Sequence, residues 1–212
     1  VNINVQPEPS TTLCAGQDLD LFVTAMGTDL TYQWFKGTTA LVGETNPTLN
    51  ILAVTPADAG TYTVVVTNSC QEVISEDAVV IVNELPAITV DPSDVTVCEG
   101  QPINLIVTAT GTDLIYQWFL GTTAILGADS STYSVPSATL ADAGNYSVRV
   151  NGICDAPVTS IVAVVIVNET VNINVQPEPS TTLCAGQDLD LFVTAMGTDL
   201  TYQWFKGTTA LV

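Results

Sequence analysis

Residues 58–62 are Asp-Ala-Gly-Thr-Tyr, and the pattern returns as Asp-Ala-Gly-Asn-Tyr at residues 142–146. The offset between them is 84 residues, and the same offset separates Trp34 from Trp118. A longer repeat contains no change at all, because residues 171–212 are identical to residues 1–42, at an offset of 170. Repeats must be recognised before single residues are interpreted, since they predict an array of related folding units.

The two offsets divide the chain into three segments. Residues 1–84 form module A, residues 85–169 form the related module B, and residues 170–212 are the first half of a repeated module A. We therefore expect the sequence to be part of a longer alternating array. Half a module exposes its core, so we also expect that the chain continues beyond Val212 or that another segment completes the fold.

The strand signals of module A are short runs, alternating or β-branched, bounded by Gly, Pro, Asn or Asp. No stretch has an apolar stripe of helical period that is long enough for a stable helix. Several short strands at this spacing predict an all-β sandwich. The predicted strands are Leu19–Ala25, Thr31–Phe35, Thr48–Leu52, Thr61–Thr67 and Ala78–Val82.

The five residues from Asp58 to Tyr62 resemble the signature that opens strand F of immunoglobulin-like domains. That resemblance implies a tyrosine corner, in which the phenol oxygen of the Tyr bonds to nearby backbone, and a buried Trp on strand C. We expect the structural core to be built around these aromatic side chains in each module: Trp34, Tyr62, Trp118, Tyr146 and Trp204.

One feature of immunoglobulin domains is missing from the sequence. A disulfide usually joins strand B to strand F. The corresponding residues are Val23 and Val64 in module A, and Val107 and Val148 in module B. We expect an apolar pair to pack beneath the Trp in place of the bridge.

The five cysteines lie at fixed module positions and none is in a CxxC spacing, which indicates disulfides formed in an oxidising compartment. In an immunoglobulin topology Cys14 and Cys70 lie at opposite ends of the sandwich, about 25 Å apart, which is too far for a bond. Stacked modules would instead bring Cys14 to Cys154, and the partners of Cys70, Cys98 and Cys184 would lie outside this sequence. The alternatives are Cys14–Cys70 and Cys98–Cys154 bonds within modules, or bonds between separate chains.

Composition excludes several classes of function. Three basic residues against 22 acidic ones give a net charge of −19, which argues against binding to nucleic acid or to anionic membranes. The chain has no His, so Ser-His and Cys-His catalytic pairs cannot form, and we expect no enzyme activity. We expect no metal site and no cofactor, because no calcium-loop spacing is present. The longest apolar run, residues 161–167, is too short for membrane insertion.

Several motifs together resemble the immunoglobulin-like repeats of large cell-surface adhesins and filament proteins of Bacteroidota bacteria. They are Thr12-Leu-Cys-Ala-Gly-Gln17, Tyr32-Gln-Trp-Phe35, Asp58-Ala-Gly-Thr-Tyr62 and Asn68-Ser-Cys70. The resemblance implies a secreted, very long repeat protein attached to the cell surface, and it specifies no ligand.

These observations favour a structural role. We expect tandem immunoglobulin-like sandwiches that form an extended rod, because the junctions at residues 83–86 and 168–170 are short. The chain would then be the repeat unit of an extracellular fibre or surface stalk, stapled by disulfides. Its partners would be further copies of the repeat, in the same chain or in neighbouring strands of the fibre. The alternative is an adhesin whose modules bind a glycan or protein, with the segment Phe35 to Pro47 and its Lys36 as the candidate surface.

Overall fold

The computed structural model describes residues 1–154 and 157–211. The described residues form strands and two short 3-10 turns, Pro56–Asp58 and Leu140–Asp142, and none of their helices could cross a membrane. The chain divides into two compact units. The first is Val1–Thr89 with Thr108–Tyr116 and Arg149–Thr159, and the second is Val90–Val107 with Gln117–Val148 and Ser160–Val212.

The first sandwich is built from ten strands. In chain order they are β1 (Asn2–Val5), β2 (Ser10–Cys14), β3 (Leu19–Phe22), β4 (Thr24–Met26), β5 (Thr31–Lys36), β6 (Thr39–Ala40), β7 (Thr48–Ile51), β8 (Gly60–Thr67), β9 (Glu72–Ile74) and β10 (Ala78–Asn83). One sheet has the order β2-β10-β8-β5-β6, with β9 also paired to β8, and the facing layer consists of the pairs β1-β4 and β3-β7.

Strand β10 lies parallel to β2, whereas it pairs antiparallel with β8. The predicted run Leu19–Ala25 is split, because Val23 separates β3 from β4. Strand β3 pairs with β7, and β4 pairs with β1. The break therefore lets one stretch of chain hydrogen-bond to two different partners.

The core of the first sandwich is formed by every second side chain along its strands. In β8 the side chains of Tyr62, Val64 and Val66 point inward and each is buried, whereas their neighbours along the strand are half-buried. Trp34 from β5 is fully buried against them. Val23 and Val64 are both buried in this cluster. Tyr32 and Ile51 pack against this cluster but are only half-buried.

The second sandwich repeats this plan. Its strands are β11 (Ala87–Val90), β12 (Val95–Cys98), β13 (Ile103–Ile106), β14 (Thr108–Thr110), β15 (Ile115–Leu120), β16 (Thr123–Ala124), β17 (Thr132–Val135), β18 (Gly144–Asn151), β19 (Val158–Thr159) and β20 (Ala163–Asn168). The sheet order β12-β20-β18-β15-β16, with β19 paired to β18, matches that of the first sandwich. Trp118, Tyr146, Val107 and Val148 are buried. The all-β prediction of tandem immunoglobulin-like sandwiches is confirmed.

The last part of the chain, residues 171–211, has the sequence of residues 1–41 but less regular structure. Its strands are β21 (Asn172–Val175), β22 (Thr194–Met196), β23 (Phe205–Lys206) and β24 (Thr209–Ala210). The pair β21-β22 repeats the register of β1-β4, with Ile173 opposite Ala195 as Ile3 is opposite Ala25. Trp204 is half-buried, whereas Trp34 is fully buried.

Candidate functional site: the cysteine joint

A disulfide joins Cys14 to Cys154, two residues that are 140 positions apart in the sequence. Their Cα atoms are 5.9 Å apart, within the range that disulfide geometry requires. Cys14 ends strand β2, and Cys154 follows strand β18 and is buried. Both residues belong to the first compact unit. Because Cys14 bonds to Cys154, neither of the alternative pairs, Cys14–Cys70 and Cys98–Cys154, is formed in the structure.

The disulfide lies beside the peptide that leaves the first sandwich. Asn83, the last residue of β10, is opposite Cys14 in the parallel pair, and its carbonyl oxygen accepts a hydrogen bond of 2.9 Å from the N–H of Ala15. The sulfur of Cys154 lies 3.8 Å from the same carbonyl oxygen. The covalent bridge and the main chain therefore run side by side at this point.

The next residue of that peptide is fixed by paired hydrogen bonds. The N–H of Glu84 donates to the hydroxyl of Thr112 at 2.9 Å, and the N–H of Thr112 donates to the carbonyl of Glu84 at 3.2 Å. The carbonyl of Thr112 in turn accepts from the N–H of Ile153 at 3.1 Å. Ile153 immediately precedes Cys154, so this chain of bonds ends at the disulfide.

Two glycines allow the close packing of this region, which we call the joint (residues 83–86, 111–114 and 152–154, with Cys14). A Cβ added to Gly111 would lie 2.9 Å from the Cα of Pro86, and Gly111 has a φ of +141°. A Cβ added to Gly152 would lie 3.0 Å from the carbonyl oxygen of Thr112. Larger side chains at these positions would push the linker away from the Thr112 turn.

The hydrogen-bonded part of the joint recurs within the second compact unit. The N–H of Glu169 donates to the hydroxyl of Thr198 at 2.8 Å, and the N–H of Thr198 donates to the carbonyl of Glu169 at 3.2 Å. A Cβ added to Gly197 would lie 3.1 Å from the Cα of Val171. The sequence reasoning missed this arrangement. Its signal was the recurrence of Gly-Thr-Asp at residues 27–29, 111–113 and 197–199.

The other three cysteines, Cys70, Cys98 and Cys184, are exposed and have no disulfide partner among the described residues. Cys70 lies between β8 and β9, the position that Cys154 has between β18 and β19. Cys98 ends β12 as Cys14 ends β2. Each of the three therefore corresponds to one of the two bonded cysteines: Cys98 and Cys184 correspond to Cys14, and Cys70 corresponds to Cys154.

The two tyrosine corners have the same geometry. The Tyr62 hydroxyl donates to the carbonyl of Asp58 at 2.7 Å, and the Tyr146 hydroxyl donates to the carbonyl of Asp142 at 2.9 Å. The Asp58 carboxylate accepts from the N–H and the hydroxyl of Thr55, both at 2.8 Å, and these bonds lower the Asp58 pKa. Burial, followed by the nearby Tyr133 and Asp142, raises the pKa of Tyr146 to about 12.

Lys36, the cation of the candidate binding surface, already has contacts within the protein. The Lys36 ammonium donates to the carbonyl of Ala57 and lies 5.9 Å from the centre of the Tyr62 ring. Its aliphatic stem covers Gly60, where an added Cβ would meet Cε at 2.9 Å. Leu120 covers Gly144 in the same way, with Cδ1 at 2.7 Å from that Cβ position. Lys36 and Leu120 thus have the same structural role, because each covers a glycine of the next strand.

Two closely spaced carboxylates of the first sandwich, Asp18 and Asp20, have structural roles. The Asp18 carboxylate accepts from the N–H of Ala53 at 2.8 Å, and that of Asp20 accepts from the side-chain amide of Asn50. Both bonds connect the chain around β3 to the chain around β7. Within residues 1–154 and 157–211, no group of three or more His, Cys, Asp or Glu side chains is arranged to hold a metal ion.

Comparison with known proteins supports the fold. Residues 2–68 match the family model described as immunoglobulin domain, and a comparison with curated proteins gave no match. An I67–I69 fragment of titin, an E-to-A variant, aligns with a TM-score of 0.72 at 19% identity, over 100% of this chain and 81% of the titin chain.

Two further solved structures are similar to this chain. A structure of Dpr11 IG1 bound to DIP-gamma gives a TM-score of 0.60 at 16% identity, over 78% of this chain and 98% of the other. The N-terminal four Ig domains of Dscam1 isoform 6.9 give 0.57 at 22% identity, over 79% and 47%. At such identities the likeness concerns the fold. The chain is therefore an all-β protein with two immunoglobulin-like sandwich domains in tandem.

Proposed function

We propose that this chain is a structural repeat unit of an extracellular fibre or surface stalk, in which disulfides staple successive modules into a semi-rigid rod. The modules would be residues 1–84, residues 85–169 and the half-module from residue 170. The observation that carries the proposal is the joint, where the Cys14–Cys154 disulfide lies beside the Glu84–Thr112 hydrogen bonds. A staple next to a short linker would restrict bending and resist pulling.

The proposed location of the protein follows from its disulfides, and its charge fits an exposed polymer. Disulfides persist outside the cytosol, so we place the fibre at the cell surface. A net charge of −19 with three basic residues keeps a long polymer soluble and limits unspecific association. The motifs of the sequence suggest the adhesin and filament proteins of Bacteroidota as its class.

The alternative, an adhesin that binds through its modules, has weaker support. The Lys36 ammonium already donates to the Ala57 carbonyl, and Leu120 takes its place in the second sandwich. A ligand at this surface would therefore have to displace an internal contact of Lys36 in one module and would meet Leu120 at the corresponding position of the other.

Electron microscopy of the native surface material tests the proposal. We expect straight fibres whose axial period equals the length of two modules, and more strongly bent fibres when Cys14 is replaced by Ser. Thr38→Ser is the matched control, because Thr38 is exposed and belongs to no cysteine joint. Compact particles without an axial period, combined with micromolar binding of one defined glycan or protein, would favour the adhesin instead.

A further inference from the structure

The Cys14–Cys154 disulfide closes a covalent loop that contains most of both sandwiches. The two cysteines are 140 positions apart in the sequence, and the loop encloses every strand from β3 to β18. Of the other strands of the two sandwiches, β1 and β2 come before the loop, and β19 and β20 come after it. The bond therefore separates the strands into an enclosed group and a group outside the loop.

Tension along a chain follows its shortest covalent path, and the disulfide shortens this path. A pull that enters before Cys14 and leaves after Cys154 reaches Cys14 through β2. It then crosses the two sulfur atoms and continues from Cys154 towards β20. Residues 15–153 form a side loop on this path. The tension is therefore carried by residues 1–14 and by the chain that follows Cys154.

The structure fixes Cys14 at the point where the tension would pass from β2 into the bond. The N–H of Cys14 donates to the side-chain oxygen of Gln17 at 2.7 Å, and the N–H of Ala15 donates to the carbonyl of Asn83 at 2.9 Å. Cys154 is 2% exposed, so thiols in solution have little access to its sulfur. The bond is therefore protected while the joint is closed.

The enclosed sandwiches have no disulfide of their own among the described residues. Val23 and Val64 lie where strand B of an immunoglobulin domain usually bonds to strand F, and the second sandwich has valines at both corresponding positions. Cys70 and Cys98, the two cysteines inside the loop, are exposed and free. The Cys14–Cys154 bond therefore limits the extension of both sandwiches at once.

We propose that this disulfide is a tension bypass, which carries pulling force past residues 15–153 and makes the extensibility of the chain depend on thiol reduction. Opening the bond adds roughly 460–500 Å of length, because the 140 positions that it spans extend by about 3.3–3.6 Å each. The load-bearing role rests on the proposed fibre function, whereas the change in length is a property of the single chain.

A dithiol is the class of reductant that opens the bypass. One thiolate of dithiothreitol attacks the sulfur of Cys14, which is less buried than that of Cys154, and releases Cys154 as a thiolate. The second thiolate of the dithiol then attacks its own sulfur in the mixed disulfide and releases Cys14. Two protein thiols are formed, and one dithiol is oxidised to a cyclic disulfide.

Single-molecule force spectroscopy of the full chain, produced in an oxidising compartment and pulled through handles at its two ends, tests the proposal. The quantity measured is the contour length after all folded structure is lost. We expect the parent to be shorter than Cys14→Ser by roughly 460–500 Å, and dithiothreitol to add this length to the parent. Equal contour lengths for the parent and Cys14→Ser would overturn the proposal. The comparison holds even if Cys14→Ser does not fold, because the extended chain is measured.

The shape of the force trace gives a second readout. Where Cys14→Ser folds, its trace should contain a separate unfolding step for each sandwich. The trace of the parent should contain neither step until dithiothreitol is added. A parent that showed both steps without reductant would carry the tension through its sandwiches, contrary to the proposal.

Cys70→Ser is the matched variant in this single-chain measurement, since it removes a cysteine inside the loop and leaves the bond closed. Its contour length should equal that of the parent. A bond from Cys14 to Cys70 spans 56 positions, so its loss would lengthen the chain by roughly 185–200 Å. Such a lengthening in Cys70→Ser would refute the bypass. Absence of fibres in electron micrographs would contradict the fibre function and leave these contour lengths unchanged.

Discussion

Gly111 and Pro86 are in such close approach that a Cβ on Gly111 would lie 2.9 Å from the Cα of Pro86 and 3.1 Å from the carbonyl oxygen of Leu85. Backbone atoms cannot move aside as the end of a flexible side chain can. Gly111 also has a φ of +141°, where other residues are strained. The linker and the Gly-Thr-Asp turn therefore fit together only with a glycine at this position.

We predict that Gly111→Ala lowers the free energy of unfolding by about 1–3 kcal/mol more than a glycine replacement in open space does. The matched control is Gly121→Ala, because Gly121 also has a positive φ but an added Cβ would meet nothing within 4 Å. Urea denaturation of both variants measures the difference. Equal losses for the two would mean that the contact with Pro86 does not constrain the linker.

The disulfide gives a second prediction. Peptide mapping without reduction should recover Cys14 joined to Cys154, and Cys14→Ser should lower the free energy of unfolding by about 2–4 kcal/mol. Cys184→Ser serves as the control, since Cys184 is exposed and lies outside this bond. Recovery of Cys14 joined to Cys70 would contradict the arrangement of the joint.

Local sequence patterns predict only the features that short stretches of chain determine. The sandwich fold was predictable because alternating strands such as β8 place every second side chain in the core. The Asp-x-Gly-x-Tyr pattern likewise specified the tyrosine corner, since its bond runs from Tyr62 to Asp58, only four residues away.

Features that depend on contacts distant in sequence have no local pattern that predicts them. Strand β2 is held by backbone hydrogen bonds to β10, about seventy residues later, and its own side chains do not alternate cleanly between buried and exposed. The bonds between Glu84 and Thr112 involve the backbone of Glu84, so its side chain carries no information about them. Residues 189–192 demonstrate the limit most directly, because the sequence that forms β3 forms no strand without its partner.

A third prediction concerns the stability of the protein at low pH. The pKa of Asp58 is lowered by hydrogen bonds from Thr55, and secondarily by the charge of Lys36. A carboxyl with a lowered pKa in the folded state contributes stability above its unfolded pKa, near 3.9, and this contribution is lost as the pH falls through the folded value. We expect Asp58→Asn to be less stable than the parent at pH 7, by about 0.5–1 kcal/mol.

The difference between the two proteins should shrink as the pH falls below about 4. Urea denaturation between pH 7 and pH 2 measures it. Asp77→Asn is the control, because it removes the same charge at an exposed position. A difference between parent and Asp58→Asn that stays constant down to pH 2 would show that the Thr55 bonds do not depend on the charge of Asp58.

The fourth prediction concerns alkali and the second tyrosine corner. Burial raises the pKa of Tyr146 to about 12, and its hydroxyl donates to the Asp142 carbonyl. A phenol with a raised pKa in the folded state contributes stability that is complete below its unfolded pKa, near 10, and is lost as the pH rises through the folded value. The parent should therefore lose stability between about pH 10 and pH 12.

Tyr146→Phe removes both the hydrogen bond and the titration. We expect it to cost about 1 kcal/mol at pH 7, because the bond to the Asp142 carbonyl is lost, and to weaken the pH dependence above pH 10. Tyr116→Phe is the control, since it removes a half-buried phenol away from the corner. Denaturation followed by circular dichroism at several pH values gives both quantities. If Tyr146→Phe kept the full alkaline loss of the parent, ionisation of Tyr146 could not be what unfolds this sandwich in alkali.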